Sequence, residues 1–278
     1  MLHYVNCKDK TLDLTSPQVM GILNVTPDSF SDGGKFIHID NALKQVEQML
    51  NDGASIIDIG GESTRPGAEN VSEQDELNRV IPVLKAIKQR FDVIVSIDTS
   101  KATVMSAAIE YGAGLINDVR ALQNKGCLTV LAQSDIPVCI MHMQGLPRSM
   151  QTAPQYNHLV NDIKAFFQQR IDCCEKAGIV KKRLILDLGF GFGKTLEQNY
   201  QLLAKLSEFH AFKLPILSGT SRKSMIGNLL NCSVEQRLAG SLTTAIIALE
   251  QGAQILRVHD VKETMDAIKV LQATKQFC

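Results

Sequence analysis

The chain has 278 residues, of which 45% are hydrophobic and 21% charged, so it can bury a large core without disulfide or metal staples. Lysine and arginine together number 29, and aspartate and glutamate also number 29, which gives a formal net charge of zero. This balance argues against the broad basic surface by which proteins bind nucleic acids or anionic membranes. A net charge of zero is still compatible with a small, local binding site for an anion.

The cysteine pattern is typical of a reduced protein. The seven cysteines are odd in number and contain no CxxC pair, which favours free thiols in the cytoplasm. The polar segment Met1–Lys10 lacks the apolar core of a signal peptide, and no apolar run is long enough to cross a membrane. We therefore expect a cytoplasmic protein without membrane contacts.

Short apolar runs alternate with amphipathic stretches along the chain. Strands are predicted at Val19–Val25, Ser55–Gly60, Val93–Asp98, Leu115–Val119, Pro137–Met143, Leu184–Leu188, Pro215–Gly219 and Ile255–His259. Helices are predicted at Asp40–Asn51, Ser72–Gln89, Lys101–Tyr111, Asn124–Ser134, Asn157–Ala177, Thr195–His210, Ser233–Gln251 and Lys262–Ala273. Such alternation builds either an open doubly wound sheet or a closed barrel, and eight units in about 250 residues favour the barrel.

The predicted fold class is thus α/β, a (β/α)8 TIM barrel in one domain over residues 1–278, with a short N-terminal β-hairpin at Leu2–Leu14. Residues that favour helix ends lie at the ends of several predicted helices. Asp40, Ser72 and Ser233 are suited to cap the helices that they begin. Glycines suited to a left-handed cap follow four helices, at Gly53, Gly112, Gly178 and Gly252.

Polar residues follow the predicted strands, where the catalytic residues of α/β barrels lie. These residues are Asn24, Glu62, Thr64, Arg65, Asp98, Asn117, Asp118, His142, Asp187, Arg222, Lys223, Arg257 and His259. In a barrel they converge on one face. The carboxylates and amides suit a flat heterocycle with an amino-amidine edge, and the cationic donors suit a polyanion such as a diphosphate.

Several of these residues have a structural alternative. Asp98 is suited to cap the following helix, and Asn117 and Asp118 could exchange roles. Lys223 could be a surface lysine, and His142, between two methionines, is more typical of a packed core histidine than of a ligand.

The strand ends also carry motifs by which the chain resembles the dihydropteroate synthases. The matching segments are NVTPDSFSDGG at 24–34, GGESTRPG at 60–67, SIDT at 96–99, IND at 116–118, GFGK at 191–194, SRKS at 221–224 and RVHDV at 257–261. They occur in order over nearly the whole chain. One departure is Leu188, where the family usually has proline, which puts the rigidity of the following loop in question.

The resemblance implies condensation of 6-hydroxymethyl-7,8-dihydropterin diphosphate with p-aminobenzoate, giving 7,8-dihydropteroate and pyrophosphate in folate biosynthesis. It also implies a barrel fold, a Mg²⁺ requirement, a homodimer and sensitivity of the site to sulfonamides. Departure of diphosphate from the pterin CH2 is the difficult step. Because the electron-rich dihydropterin stabilises a cation at that carbon, we expect an SN1-like path with electrostatic and positional catalysis.

The resemblance also implies roles for single residues. The catalytic set is Asp32, Asp98, Asn117, Asp187, Lys223, Arg257 and His259. The substrate-binding set is Phe30, Thr64, Arg65, Pro66, Met141, Phe192 and Ser224. Asn24 is expected near the metal and the diphosphate.

Within these sets, the resemblance places Asp98, Asn117 and Asp187 on the pterin ring, with Lys223 at its edge and Arg257 stacked on its face. Further members have roles toward the diphosphate or the amine. The residues expected to bind the diphosphate are His259, Thr64 and Arg65. Those expected near the amine or in the aminobenzoate pocket are Asp32, Phe30, Pro66, Phe192 and Ser224.

Two other classes of function fit the same scaffold. A different barrel enzyme would use Lys223 for a Schiff base, as aldolases do, or would bind a folate for methyl transfer. A non-catalytic binding protein would have lost anion-binding residues, and Asn24, Arg65, Arg257 and His259 are all present.

Overall fold

The computed structural model describes residues 2–26, 35–63, 70–145 and 154–277, with only the backbone described for 35–38. A two-stranded antiparallel hairpin comes first, formed by β1 (Tyr4–Cys7) and β2 (Lys10–Asp13). Eight parallel strands follow: β3 (Gln18–Asn24), β4 (Ile56–Gly60), β5 (Ile94–Asp98), β6 (Leu115–Asp118), β7 (Val138–Met141), β8 (Leu184–Asp187), β9 (Ile216–Ser218) and β10 (Ile255–Val258). They close into a barrel in chain order, with β10 paired to β3.

The predicted barrel and hairpin are therefore confirmed, and each barrel strand begins and ends within two residues of its predicted bounds. The helices among the described residues are α1 (Lys35–Asn51), α2 (Glu73–Arg90), α3 (Ala102–Glu110), α4 (Cys127–Ala132), α5 (Leu159–Lys176), α6 (Leu196–Ala204), α7 (Ser224–Leu230), α8 (Leu238–Glu250) and α9 (Val261–Lys275). Shorter 3₁₀ helices lie at Lys181–Arg183, Leu206–Phe212 and Val234–Gln236.

Local sequence signals explain several helix ends. The Ser72 hydroxyl accepts a hydrogen bond from the backbone N–H of Asp75 and so caps α2. Gly53, after α1, has a φ of 104°, and Gly252, after α8, has a φ of 92°. A residue with a side chain would be strained in this left-handed conformation, which explains why glycine ends both helices.

Some helix predictions are wrong in detail. Asp40 does not cap its helix, because α1 begins earlier, at Lys35. Ser233 caps the 3₁₀ turn Val234–Gln236, and α8 begins only at Leu238. Helix α7 was not predicted, since its seven residues are too few to show a clear helical period.

The predicted helix Thr195–His210 is broken after Ala204, where α6 ends. The 3₁₀ helix that follows buries Leu206, Phe209 and Phe212, which are spaced by three residues. A spacing of three places side chains on one face of a 3₁₀ helix, whereas an α-helix would spread them around its axis. Packing of these three side chains therefore accounts for the change of helix type.

The hairpin closes one end of the barrel. Its side chains Val5, Cys7 and Leu12 belong to the same buried cluster as Met20 and Ile56 from the barrel strands. The helices cover the outside of the barrel, where the larger cluster of buried apolar residues lies. Because the hairpin fills the end at which the strands begin, a ligand can enter the lumen only near the carboxyl ends of the strands.

Among the described residues, no helix combines the length and apolarity that crossing a bilayer requires. The cysteines of this part of the chain are all free, in agreement with the expected reduced thiols; they are Cys7, Cys127, Cys139, Cys173, Cys174 and Cys232.

Candidate active site

Strand register brings the predicted polar residues to one edge of the barrel. Asp98 at the end of β5 pairs with Gly60 of β4 on one side and with Asn117 of β6 on the other. Met141 at the end of β7 pairs with Asp187 at the end of β8. Because these strands are parallel and neighbouring, their last residues surround one opening.

Arg257 crosses this opening and joins three strands. Its Nε donates to Asp58 Oδ2 at 2.6 Å, and its Nη2 donates to Asp98 Oδ2 at 2.9 Å. Burial opposes the charge on Arg257, but the two carboxylates outweigh that effect and raise its pKa above the usual value. The guanidinium therefore stays charged and holds β10 against β4 and β5.

Asp58 is a residue that sequence reasoning missed. It lies inside β4, between Ile57 and Ile59, and its side chain has no solvent exposure. Asp58 interrupts an otherwise apolar strand and does not follow a strand end, so a search for polar residues at strand ends does not select it. A carboxylate within a buried strand was the available signal, since a buried charge requires a partner.

The lumen presents acceptors that the described residues leave unsatisfied. Asn117 Nδ2 donates to Asp58 Oδ2 at 3.1 Å, which turns the amide into the barrel. Asp58 Oδ1, Asn117 Oδ1 and Ser96 Oγ are buried and have no hydrogen-bond partner in the described part of the chain. An unsatisfied buried polar atom is costly, so this layer is suited to a ligand that offers several N–H donors.

Asp187 adds a carboxylate on the far side of the lumen. It is buried, and its Oδ1 accepts the backbone N–H of Gly189 at 2.8 Å. Burial raises the pKa of Asp187, while Lys223, the Gly189 N–H, Arg257 and Lys194 oppose that shift. Met141, also buried, pairs with it in register and adds an apolar wall.

The carboxyl group of Asp98 titrates near neutrality. Burial is the main cause, and Asp58, Glu76 and Asp118 add to it, whereas Arg257 opposes it; together they raise the pKa of Asp98 to about 7. The predicted alternative, in which Asp98 caps a helix, is wrong because the residue at the cap position of α3 is Lys101.

Lys223 reaches the same space from the loop after β9. Its ammonium group donates to the carbonyl oxygen of Phe190 and lies 4.6 Å from the ring centre of Phe192. Burial, together with Arg257, lowers the pKa of Lys223 to about 8, although Asp187 and Asp98 oppose this shift. It is thus a partly buried lysine inside the site, and the alternative of a surface lysine is wrong.

The loop after β8 is built around a second lysine. Lys194 is buried, and its Nζ donates to Gly189 O at 2.8 Å and to Phe192 O at 3.1 Å. The Nδ1 atom of His142 lies 3.0 Å from the same ammonium group. These bonds hold the loop that contains Phe192 and the carbonyl group of Phe190. Leu188, which replaces the family proline at the start of this loop, is fully buried.

The mouth of the barrel carries the residues expected at an anion. Asn24 and His259 are exposed at the ends of their strands. The Ser221 hydroxyl lies 3.0 Å from His259 Nδ1 and accepts the His259 backbone N–H at 3.1 Å, which orients the imidazole. Ser224, also exposed, is the first residue of α7, next to Lys223.

Four strand-end residues of the predicted ring have other partners. Asp118 accepts the backbone N–H groups of Arg120 and Leu122, whereas Asn117 bonds to Asp58 inside the barrel. Arg222, at a φ of 56°, forms a two-point ion pair with Asp260. The other two are Glu62, which pairs with Lys101, and His142, which packs edge-to-face on Phe166 and is a core histidine.

Five predicted site residues lie outside the described residues: Phe30, Asp32, Thr64, Arg65 and Pro66. Their assignments stay predictions. The described residues alone form a pocket with three features. Buried acceptor atoms suit a donor-rich ring, the Arg257 guanidinium spans the lumen, and Lys223 and Phe192 lie at one side. Such a pocket can bind a planar, N–H-rich heterocycle whose reacting end points out of the barrel.

Comparison with known proteins agrees with this geometry. Residues 20–259 match the family described as pterin binding enzyme. The dihydropteroate synthase of Escherichia coli is 56% identical over 264 residues, covering 95% of this chain and 94% of the relative.

Solved structures match over the whole fold. The crystal structure of Yersinia pestis dihydropteroate synthase with a sulfonamide drug complex has a TM-score of 0.94 and 58% identity, covering 98% of this chain and 99% of the other. The Xanthomonas albilineans dihydropteroate synthase with 4-aminobenzoic acid has a TM-score of 0.93 and 45% identity, with 99% of both chains covered. By sequence and by structure, the chain belongs to the dihydropteroate synthases of the pterin-binding enzyme family.

Proposed function

We propose that the barrel lumen binds the ring of 6-hydroxymethyl-7,8-dihydropterin diphosphate and that the mouth binds its diphosphate and p-aminobenzoate. The observation that carries this assignment is the layer of buried acceptors at Asp58, Asn117 and Asp187. The pyrimidine edge of a pterin offers an amino group and ring N–H donors to such acceptors. The alternating charges would fix the ring in one orientation.

Cationic residues would bind the two ends of this substrate. Arg257, which pairs with Asp58 and Asp98, would stack its guanidinium plane on the ring. Lys223 would donate to the ring edge while its chain, with Phe192, forms one wall of the aminobenzoate site. Ser224 would bind the aminobenzoate carboxylate, and His259, oriented by Ser221, would bind phosphate oxygens.

The reaction would proceed by departure of the diphosphate before attack. The bond between the pterin CH2 and the diphosphate oxygen breaks, and the electron pair leaves with pyrophosphate. The neutral aryl amine then forms the new C–N bond and loses one proton to solvent. Asp58, Asp98 and Asp187 place negative charge near the pterin cation, and a closed site would keep water from it.

The residues at the mouth fit a weakly held Mg²⁺. The exposed Asn24 offers one neutral oxygen, and glycine at position 60 leaves open the space between Asn24 Oδ1 and the Asp98 carboxylate. Mg²⁺ typically keeps several waters and binds through one or two protein oxygens plus substrate phosphates. When bound, it would shield the charge of the leaving diphosphate. The described residues contain no cluster of three or more His, Cys, Asp or Glu side chains for a tighter metal site.

The protein would act as a cytoplasmic homodimer in folate biosynthesis and would be a sulfonamide target. Exposed apolar residues cluster in and after α7 (Leu229, Leu230 and Val234), close in sequence to the apolar helix α8. Such a patch is suited to an interface between two copies. Light scattering after gel filtration should give twice the chain mass of 30.5 kDa, and a mass of one chain would contradict the dimer.

One experiment tests the reaction directly. Purified protein is mixed with dihydropterin diphosphate, p-aminobenzoate and Mg²⁺, each omitted in turn, while pyrophosphate and dihydropteroate are measured. Release that requires the amine and yields dihydropteroate is expected. Release without the amine, or binding without release, would contradict the synthase assignment.

The lowered pKa of Lys223 also suits a Schiff-base enzyme, because it raises the fraction of neutral, nucleophilic amine. Borohydride trapping with carbonyl substrates tests that second function. We expect no adduct at Lys223, because its amine already donates to the Phe190 carbonyl.

A further inference from the structure

The inner face of the barrel is built in layers along the strands. Successive side chains of a strand point to opposite faces, so every second residue points into the lumen. The layer next to the hairpin is apolar and includes Ile56, Ile94 and Leu115. Two residues further along each strand, the next layer contains five polar side chains, which are Asp58, Ser96, Asn117, Asp187 and Arg257. A ring that enters the lumen therefore meets this polar layer.

Ser96 differs from the other four polar residues of the layer. Asp58 bonds to Asn117 and to Arg257, and Asp187 accepts a backbone N–H. The Ser96 side chain is fully buried, and its hydroxyl has no hydrogen-bond partner in the part of the chain that the structure describes. Because a buried hydroxyl without a partner costs free energy, packing of the barrel gives no reason for a serine at this position.

Strand register fixes the place of Ser96 within the layer. Ser96 of β5 lies opposite Asp58 of β4. Because β5 lies between β4 and β6, the hydrogen bond from Asn117 Nδ2 to Asp58 Oδ2 passes over β5. Serine is small enough to leave room for this bond. Its side chain points into the lumen together with two other unsatisfied atoms, Asp58 Oδ1 and Asn117 Oδ1.

The three unsatisfied atoms differ in what they offer to a ligand. The carboxylate oxygen of Asp58 and the amide oxygen of Asn117 only accept hydrogen bonds, whereas the hydroxyl of Ser96 also donates one. The edge of an aminopyrimidine ring carries both N–H donors and bare ring nitrogens, which are acceptors. The two oxygens suit the donors of such a ring, and the hydroxyl suits one of its acceptor nitrogens.

We propose that Ser96 is a further ring-binding residue, whose hydroxyl donates a hydrogen bond to an acceptor nitrogen of the bound pterin. This role rests on the proposed function, in which the pterin ring occupies the lumen. Ser96 then contributes to the selectivity for the heterocycle, because a ring with C–H in place of that nitrogen leaves the hydroxyl unsatisfied. It has no role at the mouth of the barrel, where p-aminobenzoate would bind.

The test compares Ser96→Ala with Ser218→Ala. Ser218 is a matched control, because it is also a strand serine, is 1% exposed and has a hydroxyl without a partner among the described residues. It lies opposite Leu256, on the outer face of the barrel that the helices cover. The Kd for 6-hydroxymethylpterin, measured by calorimetry, should rise about five- to tenfold in Ser96→Ala, the usual effect of one hydrogen bond. In Ser218→Ala it should stay within about twofold of the parent value.

Two further measurements on Ser96→Ala separate ring binding from a structural role. The KM for p-aminobenzoate should stay within about twofold of the parent value, and a rise as large as that of the pterin Kd would overturn the proposal. The Tm of the ligand-free protein should be unchanged or higher, because the substitution removes a buried hydroxyl that has no partner. A lower Tm would show that the hydroxyl bonds within the protein and would also overturn the proposal.

An unchanged pterin Kd in Ser96→Ala would overturn the proposal, and so would an equal rise in Ser218→Ala. If Ser96→Ala does not fold, Ser96→Cys is the second variant. Its thiol has a similar shape but is a weak donor, so the pterin Kd should rise in the same direction, and a parent-like Kd would overturn the proposal. A parent protein that does not bind 6-hydroxymethylpterin would refute the proposed function and the role of Ser96 with it. A parent that binds the pterin no better than Ser96→Ala would refute the role of Ser96 alone.

Discussion

Arg257 in the lumen and Lys194 under the loop after β8 are both enclosed cations, but their partners differ. Arg257 faces the carboxylates of Asp58 and Asp98, whereas the hydrogen-bond partners of Lys194 are two carbonyls and an imidazole. The pKa of Arg257 is accordingly raised, and burial lowers that of Lys194 well below its usual value.

This difference follows from how each region is built. In the lumen, side chains of β10, β4 and β5 point into the same barrel interior, so opposite charges from strands that are not neighbours can meet. In the loop after β8, the Lys194 side chain is instead held by the backbone carbonyl oxygens of Gly189 and Phe192 and by the imidazole of His142. The lumen cation is therefore fixed by opposite charges, whereas the loop after β8 is held by hydrogen bonds to its backbone from Lys194, Asp187 and Asn199.

The largest effect is expected at the lumen residues that are proposed to bind the substrate. Asp187→Ala and Lys223→Ala should each lower kcat/KM for dihydropteroate formation by about 100-fold or more, the typical cost of removing a charged hydrogen-bonding group from a site. Circular dichroism should show an intact fold. Parent-like activity in either variant would refute the assigned roles.

Arg257→Lys breaks the lumen network while keeping its charge. A lysine cannot donate in two directions from a rigid plane, so either Asp58 or Asp98 loses its partner. We expect kcat/KM to fall about 10- to 100-fold and the free energy of unfolding to fall by about 2–3 kcal/mol. Arg90→Lys, in an exposed pair with Glu47, is the control and should stay within about 0.5 kcal/mol. Equal effects in the two variants would argue against a special role for the lumen pair.

The pH dependence of kcat/KM should report the protonation of two lumen residues, Asp98 and Lys223. Asp98 is protonated below a pKa of about 7 and then loses its charge toward Arg257. Lys223 loses its proton above about 8. Activity should therefore be maximal between these values and fall about tenfold per pH unit on each side. Asp98→Asn should flatten the acid limb; an unchanged limb would show that another group titrates there.

The smallest effect is expected for Lys194, and it concerns stability. Because its pKa is lowered in the folded state, unfolding takes up a proton between that value and about 10.5, so stability should rise with pH in this range. Each such proton contributes up to about 1.4 kcal/mol per pH unit. Lys194→Met should reduce this slope, measured by urea unfolding at pH 8 to 10. A slope equal to that of the parent would contradict this prediction, because it would mean that Lys194 stays protonated in the folded protein throughout this range.

Much of this architecture could be predicted from local pattern. A polar residue directly after an apolar run marks the end of a parallel strand, and closure of the barrel brings such ends together; Asp98, Asn117 and Asp187 were found in this way. Asp58 was not, because it interrupts a strand whose other residues are apolar. The partner of Glu62 could not be predicted either, since Lys101 lies 39 positions away along the chain.

The sequence by itself determined the barrel, the hairpin and the side of the barrel on which the site lies, because strand and helix periods and glycine caps act over a few residues. Only the tertiary structure decided which polar side chains point into the lumen and which bond to a neighbouring loop. Asn117 and Asp118 are adjacent, as are Arg222 and Lys223, yet one of each pair enters the site and the other supports a loop. The direction of a side chain depends on backbone torsion and on partners from distant strands, and those partners come together only when the barrel closes.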